Sequence, residues 1–146
     1  MGAKMKAARL HVPGQPFSVD DVDVPQPRYG EVLIEVGACG VVPNMQAVTS
    51  GTHWYTLPPL PAIYGLDAAG TIRELGEGVH GWKAGDRVYV NPALAAEQVE
   101  PQLYARSFAL RGYFGAGPLA EALLAEQPGG GFAEFTTAPA GQLVRL

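Results

Sequence analysis

The sequence predicts a mainly β fold, a partly open β-barrel with a few short helices. Three observations carry it. Runs rich in Val, Ile and Leu recur, as in Val19-Asp20-Asp21-Val22-Asp23-Val24 and Glu31-Val32-Leu33-Ile34-Glu35-Val36. Nineteen glycines and 13 prolines among 146 residues cut the chain into short elements joined by turns. Helical propensity is confined to brief stretches. Many short strands with Gly/Pro turns are the pattern of a barrel or sandwich.

The elements follow in order. Lys6 to Val12 reads as a first strand and Phe17 to Val24 as a second. Glu31 to Val36 is a third, and its continuous Val-Leu-Ile run predicts burial on both faces. Pro43 to Thr49 reads as a short helix, started by Pro43 and stopped at Ser50-Gly51. Leu57-Pro58-Pro59-Leu60-Pro61 can be neither helix nor central strand and reads as an extended connector. Ala68 to Leu75 and Arg87 to Val90 are further strands, the latter entered by a Lys83-Ala84-Gly85-Asp86 turn. Leu119 to Glu126 reads as a helix stopped by Pro128-Gly129-Gly130-Gly131. Phe132 to Thr137 and Gln142 to Leu146 close the list as strands.

Bulk properties narrow the function. Hydrophobic residues make up 47% and charged residues 16%, the balance of one folded domain. A net charge of −4 gives no electrostatic case for nucleic acid or an anionic membrane. One cysteine excludes an internal disulfide and a multi-cysteine zinc site, and suits the cytoplasm. No apolar run approaches a membrane span, and His11-Val12-Pro13-Gly14 interrupts any signal-peptide core. Residues 1–5 read as a disordered or added start, with the domain running over 6–146 and a variable lobe at about 95–130.

The motifs become specific together. A strand runs into Cys39-Gly40-Val41, a short helix ends at Ser50-Gly51, and Gly65-Leu66-Asp67-Ala68-Ala69-Gly70 follows. Gly76-Glu77-Gly78-Val79, Gly85-Asp86-Arg87-Val88 and Gly131-Phe132-Ala133-Glu134-Phe135 complete the order. This series resembles the N-terminal GroES-like domain of the medium-chain dehydrogenase/reductase superfamily, which includes zinc alcohol dehydrogenases and zinc-free quinone oxidoreductases. The resemblance implies a GroES-like barrel and, in a complete relative, NAD(P) bound by a separate Rossmann domain. No Rossmann domain is expected within this chain. Gly112-Tyr113-Phe114-Gly115-Ala116-Gly117 has the wrong spacing for G-x-G-x-x-G, and Gly129-Gly130-Gly131 precedes a strand.

The resemblance also implies where a zinc ion would sit, and there the residues change. Val42 stands at a ligand cysteine's position and Leu66 at a ligand histidine's, so no metal is expected. The structural zinc lobe is likewise expected to be absent, because 91–101 holds no cysteine. The Gly65-x-Asp67-x-x-Gly70 pattern is similar to the zinc-free quinone oxidoreductases. The candidate catalytic residues are Asn44 and Asp67, and the candidate substrate-binding residues are Asn44, His53, Trp54 and Asp67. Asn44 stands where the family's zinc enzymes place a proton-relay hydroxyl; it either orients a substrate or caps the helix. Asp67 either meets a substrate or accepts backbone N–H bonds. Cys39 reads as a small buried hydrophobe rather than a reactive thiol. Tyr55, Tyr64, Tyr113 and Phe114 read as core aromatics, and Asp86/Arg87 as a turn-bracing pair.

The expected function is an isolated substrate-binding domain of an NAD(P)-dependent oxidoreductase, inactive alone and binding no cofactor itself. The alternative is a stand-alone small-molecule-binding or scaffold module. A co-chaperonin-like role rests on the fold name alone. The expected partners are a small-molecule substrate and a second copy, through the surface a cofactor domain would cover.

Overall fold

Strand β3 (Glu31–Cys39) is the strand around which the structure organises. The computed structural model describes residues 2–94 and 107–146. Glu31, Val32, Leu33 and Ile34 are all buried, as the unbroken apolar run predicts for a strand covered on both faces. Its neighbours are β5 (Ala68–Leu75) on one side and β10 (Phe135–Pro139) on the other. The sheet extends through β6 (Arg87–Val90) to β11 (Leu143–Arg145), giving the antiparallel order β10-β3-β5-β6-β11. Val32, Ile34, Ala68, Ile72, Val88, Val90 and Ala138 fill its inner face.

A second sheet, in the order β2-β1-β4, pairs β1 (Lys4–Leu10) with β2 (Ser18–Asp23) and β4 (Ala62–Ile63). The two sheets curl into a partly open barrel at a corner made by 132–134. Ala8 N–H donates to the Phe132 carbonyl and Glu134 N–H to the Lys6 carbonyl, while Val36 N–H reaches back to the Glu134 carbonyl. The strand expected from Phe132 therefore begins at Phe135, because its first residues serve the other sheet. The expectation of a disordered or added start at 1–5 is corrected at its end: β1 begins at Lys4, which pairs with Asp23, and Met5, opposite Val22, is buried.

Residues 95–106 lie outside the described part of the chain, so the expected lobe at about 95–130 is seen in its second half and at its edge. There the sequence reading found helical character, and the structure shows a small sheet as well. β7 (Ala93–Leu94), β8 (Phe108–Leu110) and β9 (Phe114–Ala116) pair in that order. A turn at 111–113, with Gly112 at φ 66°, joins β8 to β9. Helix α1 (Met45–Thr49) and helix α2 (Ala120–Glu126) fall where predicted. Leu123 and Leu124 of α2 bury against Leu94 and Ala109 of the small sheet. No helix among the described residues is long and apolar enough to cross a membrane.

Charged groups fasten the lobe to the barrel. Arg111 is 3% exposed, and its Nη2 donates to Thr136 Oγ1 at 2.9 Å and to the Thr137 carbonyl. Burial lowers its pKa to about 10 while the Glu31 charge opposes that, so the guanidinium stays protonated at neutral pH. Arg28 forks onto Glu31 Oε1 through Nη2 at 2.8 Å and Nε at 3.2 Å, and donates to the Glu126 carbonyl at the end of α2. The Asp86/Arg87 expectation is corrected: Asp86 accepts Lys83 N–H and pairs with Arg145 at 3.0 Å, while Arg87 is exposed. The antiparallel β6–β11 ladder supplies that partner, which a reading along the local sequence had no way to find.

Two outcomes follow. Ile72→Ala should cost about 3 kcal/mol in denaturant unfolding, because Ile72 is fully buried and its neighbours are strand-bound. Burial pushes the Glu31 carboxyl up, but the Arg28 side-chain and backbone hydrogen bonds outweigh it and hold the pKa below the ordinary 4.5. The folded value lies below the unfolded one, so this stability is present above about pH 4.5 and is lost as pH falls through the folded value. Glu31→Gln should flatten that acid limb in a stability-against-pH series, and an unchanged acid limb would contradict the assignment.

Candidate functional site

The loop that carries Leu66 and Asp67 is fixed by backbone contacts that leave no space for a side chain. Gly65 has φ 119°, and a Cβ there would come within 2.5 Å of the Phe132 nitrogen and 2.9 Å of Cys39 Sγ. Its N–H donates to the Gly112 carbonyl and its carbonyl accepts from Gly131 N–H. Gly40 N–H donates to the Asp67 carbonyl at 2.9 Å, tying the loop after β3 to the same place. At the far end of the motif, a Cβ on Gly70 would fall 2.1 Å from the Glu35 carbonyl oxygen across the β3–β5 bulge. The Gly-x-Asp-x-x-Gly spacing is thus a packing requirement at both ends.

Asp67 and Asn44 are each held by a phenol. Tyr89 Oη donates to Asp67 Oδ1 at 2.8 Å. The register makes this contact: Tyr89 faces Ala69 across β5 and β6, and Asp67 lies two residues before Ala69, on the same face. Tyr113 Oη donates to Asn44 Oδ1. Burial raises the pKa of both phenols, with Asp67 adding to the effect at Tyr89 and Tyr55 at Tyr113, so both remain donors at neutral pH. Asn44 stands at the N-cap of α1, but its side chain makes no capping bond; only its carbonyl serves the helix, accepting from Val48 N–H. Of the two readings left open by the sequence, the local cap is therefore set aside.

The aromatic residues connect the remaining candidates to Asn44. His53 and Trp54 are both exposed, and both rings lie against Tyr55, with centroids 5.5 and 4.7 Å away. Tyr55 packs on Phe114 at 4.3 Å, and Phe114 on Tyr113 at 5.0 Å. Asn44, His53 and Trp54 thus share one aromatic ladder. Tyr64, Tyr113 and Phe114 belong to a buried cluster with Leu10, Met45 and Val48, and Tyr55 packs on its edge, as the core reading expects. Asp67 joins through its neighbour Leu66, which rests on that cluster, and no hydrogen bond links it to Asn44. Tyr89 was missed as the partner of Asp67; its signal was a phenol between the two buried valines Val88 and Val90. A cavity of about 280 Å³ lies elsewhere, lined by residues including Arg9, Pro58, Pro61, Ile63, Gly130 and Thr137, and takes in none of the four candidates.

The donor set does not fit zinc. Val42 and Leu66 pack with the Met45, Tyr64 and Tyr113 cluster and offer hydrocarbon where ligands would be needed. Among the described residues no three of His, Cys, Asp and Glu gather where they could hold a metal. Cys39 is half-buried; burial first, and the Asp67 charge second, push its thiol up to about 11. Three N–H groups of the glycine-rich segments are already engaged by backbone carbonyls. Gly130 N–H is spent on the Ile63 carbonyl, Gly131 N–H on Gly65 and Gly115 N–H on Thr56, which leaves these three unable to receive a phosphate.

The model of the alcohol dehydrogenase GroES-like domain family matches residues 28–146, and the chain belongs to that family, the N-terminal domain of medium-chain dehydrogenases/reductases. It is 38% identical over 92 residues to an NAD-dependent alcohol dehydrogenase of Sulfolobus acidocaldarius, covering 60% of this chain and 27% of that protein. It is 44% identical over 85 residues to a quinone oxidoreductase of Sus scrofa, covering 58% and 26%. A thermostable alcohol dehydrogenase from Pyrobaculum aerophilum superposes with a TM-score of 0.73 at 27% identity, over 98% of this chain and 41% of that one. The chain spans about a quarter of the length of the curated relatives it matches.

A neutral, crowded thiol should be sluggish. Cys39 should react with iodoacetamide at neutral pH roughly a hundredfold more slowly than free cysteine. Asp67→Asn removes the nearby charge and should speed the reaction severalfold. A rate that is fast in the unaltered chain would contradict the assigned environment.

Proposed function

We propose that this domain is the substrate-binding portion of an NAD(P)-dependent oxidoreductase of the zinc-free, quinone-oxidoreductase type. The observation that carries the reading is the replacement of metal ligands by packed hydrocarbon at Val42 and Leu66, with hydrogen-bonded Asn44 and Asp67 at its rim. Such a rim can bind and orient a small polar head while Trp54 and Tyr55 receive its apolar body. The relatives' names support oxidoreductase chemistry and, for one of them, NAD. Hydride transfer needs a nicotinamide site that the glycine segments here do not build, so no hydride step is assigned to these residues. A cofactor domain would lie over the exposed Val41 and Trp54, 77% and 72% accessible in this chain. The single cysteine, held as a thiol, suits a reducing cytoplasm.

The test has two arms. The chain alone, mixed with NADH or NADPH and a panel of quinones, ketones and alcohols, should show no oxidation of the cofactor above background. The same compounds should quench the exposed Trp54 saturably, and Trp54→Phe should remove that signal. Turnover by the chain alone would overturn the assignment, as would a panel that leaves Trp54 undisturbed.

A further inference from the structure

The Asn44 side chain is held from one side only. Its Oδ1 accepts the Tyr113 hydroxyl, and no described residue engages its NH₂ group. The phenol decides which arm faces it. Tyr113 is 2% exposed, protonated, and has Asn44 as the described acceptor for its one hydrogen. Turning the amide over would set Nδ2–H against the phenol oxygen and strand the phenolic hydrogen in a buried cluster, the costlier arrangement. Tyr113 is itself clamped: its N–H donates to the Leu110 carbonyl, and the adjacent Gly112 carbonyl holds Gly65. Asn44 in turn sits at the head of α1, exposed and free of capping duty.

We infer that Tyr113 is a positioning residue that locks the Asn44 amide with its NH₂ group outward, making this point a fixed hydrogen-bond donor to an acceptor oxygen of the ligand. A hydroxyl at this position could rotate to donate or accept. The locked amide only donates, so it reads a carbonyl or quinone oxygen and transfers no proton to it. This rests on the substrate-site reading above.

The test follows the Asn44 side-chain NH₂ resonances of the ¹⁵N-labelled chain during titration with cyclohexanone. The pair should shift saturably. Tyr113→Phe removes one oxygen and should weaken cyclohexanone by about three- to tenfold, the worth of one hydrogen bond, with a reduced shift of the Asn44 pair. Asn44→Asp keeps an acceptor for the phenol but has no donor, and should weaken cyclohexanone at least as much. Methylenecyclohexane has the same shape without the oxygen, and should bind the original chain and both variants alike. Cyclohexanone binding that Tyr113→Phe leaves unchanged would overturn the positioning role while the site stands. Equal losses for both ligands would also overturn it, by showing a packing defect instead. A ligand that moves neither Asn44 nor its neighbours would overturn the site reading, and this inference with it.

Discussion

The backbone at Tyr64–Gly65 is where three distant parts of the chain meet too closely for any side chain. Phe132 N–H takes the Tyr64 carbonyl, Gly131 N–H takes the Gly65 carbonyl, and Gly65 N–H takes the Gly112 carbonyl. This junction joins the loop before β5, the turn between β8 and β9, and the segment leading into β10. Candidate residues lie next to these glycines. Leu66 and Asp67 follow Gly65, Tyr113 follows Gly112, and Cys39 lies against Gly65 itself. Main-chain packing at this junction thus places Asp67 and Tyr113, and side-chain contacts from Tyr89, Tyr113 and Tyr55 hold the other candidates.

Under the proposed zinc-free reading, the same arrangement holds the two loops together without a metal. A zinc site would pull two loops together through coordination bonds. Here the same loops are joined by Gly40 N–H on the Asp67 carbonyl and by Val42 and Leu66 sharing one apolar cluster. Apolar burial and one backbone bond hold these loops, and neither needs a deprotonated thiol. The Cys39 thiol stays neutral beside the same junction, because partial burial and the Asp67 charge both raise its pKa. The polar work passes to two phenols, each donating to one side-chain oxygen.

The sequence made the local features legible. Strand β3 was visible because burial writes itself into its Val-Leu-Ile run. Gly65, Asp67 and Gly70 were visible because their spacing is a steric requirement. What escaped was everything fixed by distant pairing. Arg145 as the partner of Asp86 depends on the β6–β11 register. Tyr89 on Asp67 depends on the β5–β6 register. The β7–β9 sheet escaped because strands of two and three residues are too short to show alternation, and Arg111 because a lone arginine between Leu110 and Gly112 gives no sign of being buried. Asn44 stood out in the sequence, but its hydrogen-bond partner Tyr113 lies 69 residues away and on another part of the chain.

The zinc-free proposal depends on Val42 and Leu66 offering packed hydrocarbon in place of metal ligands. The most direct measurement is elemental analysis of the purified chain after equilibration with zinc and removal of loosely held ions, with intact mass confirming the sequence. The hydrocarbon-closed site predicts zinc far below one per chain. Zinc at one per chain, retained through that removal, would contradict it.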